Sequence, residues 1–264
     1  MTPPSAAGAG PAAPRVAAHR GGALLWPENS LAAFRGALSL DVDLVELDVH
    51  LSRDGEVMVV HDPTLERTTT GQGLVVAHTL AELQALRIKG PGDQRLPRLA
   101  DVLDLVKPTR AGVLLEIKTD ASRAPYPGIE ERVVAQVKAA GLERRTTVMA
   151  FEWGTLERIH RLAPDLRLTG LLSRRMAEGL GGVGPAAARV AALPAHDLGI
   201  EKTLLSPEAV QAARTAGLTI GVWTVNDEAE LGRALASGVD YVTSDRPDLA
   251  LRLRQAGRHP PPAP

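Results

Sequence analysis

The sequence predicts an α/β fold, a (β/α)8 TIM barrel with a small insertion after the second strand. Three observations predict it. The chain has 264 residues, long for an ordinary domain and typical of a single closed parallel barrel. Short β-rich runs alternate with Ala/Leu-rich helical patterns eight times, as a parallel sheet requires. Acids, imidazoles and cations recur at the C-terminal ends of those runs, the face on which such barrels carry their sites.

Taken in order, strands are expected near residues 16–19, 44–51, 112–117, 146–151, 166–171, 195–198, 219–224 and 241–244. Helices are expected near 30–39, 99–106, 128–140, 153–162, 185–193, 207–216, 227–236 and 247–255. The first strand runs into His19-Arg20-Gly21-Gly22, and Asn29-Ser30 caps the first helix. The second strand is an apolar run interrupted by Glu46 and Asp48. A turn at Asp54-Gly55 reverses it into EVMVV, which ends at His61-Asp62. The third strand ends in Glu116-Ile117-Lys118, and the seventh contains Trp223. Ser206-Pro207 and Asn226-Asp227 start later helices, while Gly141 and Gly217 stop two. The glycine-rich stretch EGLGGVGP blurs the fifth helix and sixth strand. Residues 63–98 are too long for a simple connection and carry their own helical pattern, TLAELQALRI. The barrel domain is therefore expected over 15–256, with the insertion at 63–98 and disordered Pro/Ala/Gly-rich tails at 1–14 and 257–264.

Composition narrows the function. A net charge of −1 without a long basic run argues against nucleic acid or an anionic membrane as the main partner. With no cysteine there is no disulfide, catalytic thiol or Cys-ligated zinc. No apolar run reaches the ~20 residues that span a bilayer, so no stable membrane anchor is expected. The N-terminus has neither a basic start nor an apolar signal core, and the protein is read as soluble and cytoplasmic. Only 3% of residues are aromatic, so Ala, Leu and Val must build the core. Oligomeric state is not legible.

Residues two apart on a strand share a face, so Glu46 and Asp48 point the same way, with Val45, Leu47 and Val49 opposite. An isolated pair of this kind is usually solvated on a half-exposed strand. A lone His19, Arg20 or Trp223 would likewise be structural, and Glu116 and Lys118 could pair only with each other. His50 shares the face of the two acids but receives no chemical role, and Asn29 is read as a helix cap. Coincidence changes the weighting: Glu46, Asp48, Glu116, His19, His61, Arg20 and Lys118 all fall at corresponding strand ends. Three carboxylates without a thiolate suit a hard divalent cation, Mg²⁺ or Ca²⁺. Arg and Lys beside it suit a phosphate oxygen, and two imidazoles suit proton transfer to and from oxygen. Together these imply metal-assisted hydrolysis of a phosphate ester.

The same residues resemble the glycerophosphodiester phosphodiesterase family, in AHRGG, PENSLAAF, DLVELDVHLSRDGEVMVVHDPTLERTT, LLEIKT, GVWTVND and GVDYVTSDRPD. The resemblance runs in order from about Arg15 to Gln255. It implies a barrel with an insertion after the second strand and a small glycerophosphodiester substrate cleaved to sn-glycerol 3-phosphate and an alcohol. It further implies Glu46, Asp48 and Glu116 as divalent-metal ligands, and His19 and His61 as the acid–base pair. Arg20 and Lys118 would face the phosphate, with Trp223 lining the pocket. Two positions depart from the family pattern: Asp41 stands where a glycine is common, and Ala150 where a serine is. Alternatives are a lysophospholipase D-type phosphodiesterase, attack by the substrate's own hydroxyl with a cyclic phosphate formed first, a non-catalytic phosphate-ligand binding protein, and a sugar isomerase. The insertion is expected to overhang the site and to set substrate choice through Leu74, Val75 and Val76.

Overall fold

A computed structural model of the chain describes residues 13–258, and most of both expected tails lies outside that range. The strands are β1 (Arg15–Ala18), β2 (Leu44–Leu51), β3 (Val57–Val59), β4 (Gly112–Ile117), β5 (Thr146–Ala150), β6 (Arg167–Leu172), β7 (Asp197–Glu201), β8 (Thr219–Trp223) and β9 (Tyr241–Ser244). The α-helices are α1 (Leu31–Ser39), α2 (Leu80–Ala85), α3 (Leu99–Val106), α4 (Ile129–Ala140), α5 (Trp153–Leu162), α6 (Arg174–Gly179), α7 (Val183–Ala191), α8 (Pro207–Thr215), α9 (Glu228–Ala236) and α10 (Pro247–Arg258). Eight strands pair in parallel in the order β1-β9-β8-β7-β6-β5-β4-β2, and β1 also pairs with β2, which closes the barrel. β3 pairs antiparallel with β2 as the second arm of the hairpin at Asp54-Gly55.

Alternation along each strand separates two cores. Val45, Leu47 and Val49 point outward into the large core under the helices, with Val113, Leu115 and Val148 of the neighbouring strands. Ala17, Leu44, Leu114, Met149, Leu171 and Tyr241 form a smaller cluster, on the opposite, lumenal face of the same strands. Tyr241 lies against Gly221 of β8, where a Cβ would collide with its ring, so a glycine is required there. At the top of β1, Gly21 has φ of 80°, and a Cβ on it would sit 2.8 Å from Ala33 Cβ. The turn that presents His19 and Arg20 therefore packs directly on α1.

The element ends follow local chemistry. Ser30 Oγ accepts from Ala33 N at 3.1 Å and caps α1, so Ser30 and not Asn29 is the cap. Ser206 and Asp227 cap α8 and α9, and Gly141 ends α4 at φ of 70°. Asp41 takes the left-handed conformation itself, at φ of 56°, a shape that aspartate reaches more readily than most non-glycine residues. Three expected boundaries shift. The fifth helix, expected at 185–193, is α7 at Val183–Ala191, and an unexpected short helix, α6, precedes it, separated from it by Gly181 and Gly182, both at positive φ. The sixth parallel strand lies at Asp197–Glu201 rather than 195–198. Gly199 is not a strand end but a close approach, where a Cβ would meet Leu171 Cδ2 at 2.8 Å. The last helix continues to Arg258, beyond the expected 255.

The segment after His61 folds around its own small core. Leu65, Val75, Leu83, Ile88 and Leu96 pack against Met58 and Val60 of the hairpin arm. Thr79 and Glu82 form a capping box on α2, so the TLAELQALRI pattern is helical over its first half.

Candidate active site

Glu46, Asp48 and Glu116 project from β2 and β4 into the top of the barrel. Register makes Asp48 and Glu116 neighbours, and Glu46 precedes Asp48 by one pleat. All three are buried, and one oxygen from each lies within 4.8 Å of the others. Asp48 accepts from Asn29 Nδ2 at 2.9 Å and lies 3.0 Å from Lys118 Nζ and 3.5 Å from Arg20 Nε. Lys118 Nζ also donates to Glu116 Oε1 at 2.5 Å, and Arg20 N donates to Glu46 Oε2 at 2.8 Å.

These contacts divide the charges unevenly. Burial opposes the Asp48 carboxylate, but Lys118, His61, Arg20 and His19 outweigh it and hold its pKa well below the usual range. Burial, with the charge of Asp48, pushes Glu46 up to about 7. Glu116 is also raised, by burial first, with Lys118 opposing and Asp48 adding to it. Three crowded carboxylates therefore resist full ionisation, a conflict that a divalent cation would remove. The donors are all oxygens, and Asp48 Oδ1 is buried without a well-aligned hydrogen bond. The residues fit a hard cation such as Mg²⁺ or Ca²⁺.

The sign of the Glu46 shift carries a stability prediction. A carboxyl raised on folding stabilises the protein below its ordinary pKa of 4.5, and that contribution is lost as pH rises through about 7. Chelated protein should accordingly lose resistance to urea between pH 5 and pH 8. Glu46→Gln should remove most of that loss, and added divalent cation should offset it in the wild type. Matching urea midpoints for both proteins at pH 8 would show that Glu46 carries no such strain.

Two imidazoles flank the acids, each anchored in the same way. His19 Nδ1 meets Asp245 Oδ1 at 2.6 Å, and Asp245 Oδ2 accepts from Asn226 Nδ2 at 2.6 Å. His61 Nδ1 meets Asp62 Oδ1 at 2.6 Å. A carboxylate on Nδ1 holds the proton there, which leaves Nε2 as the free ring nitrogen of each. Their environments differ in sign. Burial disfavours the His19 imidazolium, but Glu46 and Asp245 outweigh burial and raise the pKa. Burial, with Lys118 and Arg20, lowers that of His61 despite Asp48 and Asp62. His50, on the same face of β2, is buried between Tyr126 Oη at 2.8 Å and the His61 carbonyl at 2.9 Å. Burial lowers its pKa to about 4, so it is a neutral strut under His61.

His19, Arg20, Glu46, His61, Glu116 and Lys118 line a pocket of about 100 Å³. Met149, Phe151, Leu171 and Trp223 contribute an apolar wall. Trp223 is fixed by Nε1–H donating to Gly199 O at 3.0 Å and by an edge-to-face contact with Phe151 at 5.4 Å. Every residue predicted for the site is thus in one place, Asp48 just beneath the lining. The expected role of the insertion is not borne out. Val75 is buried in the insertion core, Val76 packs on the main core, and Leu74 is exposed, so none lines the pocket. The apolar character of Val75 and Val76 serves packing. Sequence reasoning also assigned Asn29 and Asn226 to capping, whereas Asn29 holds Asp48 and Asn226 holds Asp245. Asp245, Glu28 and Arg67 received no role, although all three lie within the quoted motifs. Nothing in spacing alone pairs residues so far apart.

Comparison with known proteins agrees with this geometry. The model of the glycerophosphoryl diester phosphodiesterase family matches residues 19–249. A glycerophosphodiester phosphodiesterase of Caldanaerobacter subterraneus subsp. tengcongensis is 34% identical, over 92% of this chain and 98% of its own. The crystal structure of a glycerophosphodiester phosphodiesterase from Agrobacterium tumefaciens superposes with a TM-score of 0.76 at 31% identity, covering 90% of this chain and 99% of that one. A phosphodiesterase from Oleispira antarctica, solved with the product sn-glycerol-3-phosphate, superposes with a TM-score of 0.77 at 27% identity, covering 92% and 97%.

Proposed function

Because the chain belongs to the glycerophosphoryl diester phosphodiesterase family, and so to the phosphoric diester hydrolases, we propose that it cleaves glycerophosphodiesters to sn-glycerol 3-phosphate and an alcohol, using a divalent cation and a His19–His61 acid–base pair. The observation that carries this reading is the convergence of three buried carboxylates, two anchored imidazoles and two cations on one pocket.

Glu46, Asp48 and Glu116 would hold the cation, which when bound polarises a phosphate oxygen and neutralises developing charge. Arg20 and Lys118 orient the diester through its anionic oxygens. Lys118 stays an ammonium, because Asp48 and Glu116 outweigh the burial that opposes its charge. His61, with its lowered pKa, is neutral near pH 7 and takes a proton at Nε2 from the attacking water. His19, with its raised pKa, holds a proton at Nε2 and delivers it to the departing alkoxide. The apolar wall excludes bulk water from one side of the phosphate. It also favours a second reading, hydrolysis of acyl-bearing lysophospholipids, with Phe151 and Trp223 in the place once given to the insertion.

The test is a panel of glycerophosphodiesters and lysophospholipids with Mg²⁺ or Ca²⁺ present. Released glycerol 3-phosphate is coupled to its dehydrogenase, and acylated product is measured separately. Stoichiometric glycerol 3-phosphate from the deacylated diesters is the expected result. Faster release of acylated glycerol phosphate from the lysophospholipids would favour the second reading. No turnover across the panel would refute both.

A further inference from the structure

Arg67 lies in the segment after His61, outside the pocket lining, and its guanidinium is half exposed. It nevertheless joins two parts of the site. Its Nε and Nη2 donate to Asp62 at 2.5 and 3.1 Å, and its Nη1 and Nη2 donate to Glu28 at 2.7 and 2.8 Å. Asp62 holds His61 Nδ1, and Glu28 accepts from Arg20 Nη1 at 3.0 Å. One fork thus closes a chain from His61 through Asp62, Arg67 and Glu28 to Arg20. The backbone that presents Arg67 is fixed on both sides. Leu65 and Thr69 are buried, and Thr69 donates to Leu65 O through both its N, at 3.0 Å, and its Oγ1, at 2.7 Å. Such a turn aims a side chain more exactly than an unconstrained loop would. Only a planar five-donor group can serve two carboxylates in this way.

We propose that Arg67 is a positioning residue that clamps Asp62 to Glu28, so that the insertion sets the orientation and tautomer of His61 rather than the choice of substrate. The inference rests on the reading of His61 as a proton carrier in the proposed hydrolysis. Free neutral imidazole in water favours the proton on Nε2, and a fixed carboxylate at Nδ1 reverses that choice. If Asp62 swings free, His61 loses the tautomer in which Nε2 can accept a proton. The other groups that act on His61 are Asp48 from β2, Arg20 from the turn after β1 and Lys118 after β4, with His50 under its carbonyl. None of them reaches Nδ1, so none can replace Asp62.

The test compares wild type, Arg67→Ala and Arg67→Lys in the full chain. Ring ¹⁵N shifts of labelled histidine report the tautomers of His61 and, as an internal control, His19, whose anchor is Asp245. Arg67→Ala should raise the Nε2–H population of His61 and leave His19 unchanged. It should lower kcat roughly 10–100-fold, the usual effect of losing an orienting partner, with KM within about twofold because Arg67 does not face substrate. Arg67→Lys keeps the charge but can serve one carboxylate at a time, and should fall between the two. An unchanged His61 tautomer in Arg67→Ala would overturn the proposal. So would equal disturbance of His19, which indicates a general scaffold role, or a lysine variant that matches wild type, which indicates charge alone. The tautomer measurement needs no turnover. It decides the clamp even if the wild type hydrolyses none of the diesters, an outcome that counts against the function and not against Arg67.

Discussion

Asp48→Asn should abolish divalent-cation binding and lower diester hydrolysis by roughly 10³-fold or more, a loss of several kcal/mol of charge stabilisation in the transition state. The size of the effect follows from where the residue sits. Asp48 is fully buried at the centre of the acid cluster, with Asn29, Lys118 and Arg20 all aimed at it. Asparagine keeps the shape and can still accept from Asn29, so the barrel should fold. It removes the one carboxylate that its surroundings hold firmly ionised, and leaves Glu46 and Glu116, whose charge burial opposes. Those two cannot hold a hard cation as well as three. Calorimetric titration of Mg²⁺ and Ca²⁺ into both proteins, paired with rates, checks this. Wild-type affinity in the variant, or undiminished turnover of wild type after exhaustive chelation, would remove the metal from the reaction.

His61→Ala and His19→Ala should each cost ~10²–10⁴-fold, the usual contribution of a positioned acid or base, and should do so on opposite sides of the pH profile. Under the proposed roles, the wild-type rate needs His61 neutral and His19 protonated. It should fall as pH drops through the lowered pKa of His61, and fall again as pH rises through the raised pKa of His19. The plateau therefore straddles 6.5, the ordinary value for both. A cation on Glu46 takes away part of the field that raises His19, so the alkaline limb should move to lower pH as metal saturates. Residual activity of His61→Ala should lack the acidic limb, and that of His19→Ala the alkaline one. A diester with a nitrophenolate leaving group needs no proton on departure, so it should rescue His19→Ala and not His61→Ala. Rescue of the other variant would exchange the two roles. The double mutant should lose little beyond the worse single, because the two act as one unit. Metal affinity should persist in both. Its loss in His61→Ala would make His61 a ligand.

The barrel was legible in the sequence because strand and helix periods alternate cleanly and the caps at Ser206 and Asp227 are local features. The three clustered acids were legible for a similar reason. Glu46 and Asp48 are two apart on one strand, and Glu116 reaches them through a register that parallel pairing imposes. The glycines around 181 and 199 misled for a physical reason. The pair at 181 and 182 separates α7 from a short helix that was not expected, while Gly199 sits inside a strand to admit Leu171. What lay beyond reach was support for the site. Asn29 and Asn226 look like caps, because their sequence neighbours do cap helices. Their bonds to Asp48 and Asp245 exist only after closure. The apolar residues at 74–76 look like a binding surface, because sequence does not say which way a loop residue turns.

Closure of β1 between β9 and β2 also sets an order of events during synthesis. His19 and Asp245 are 226 positions apart, near opposite ends of the chain. A nascent chain released as far as Lys118 already contains the three clustered acids, both imidazoles and both cations of the proposed site. It still lacks the last strand that flanks β1 and the carboxylate that orients His19. Contacts of such long range are the slowest to form, since loop-closure entropy opposes them until the rest has condensed. The proposed proton donor is therefore oriented last, when β9 meets β1, and a ribosome-bound intermediate that stops short of β9 carries the residues of the site without the geometry to use them.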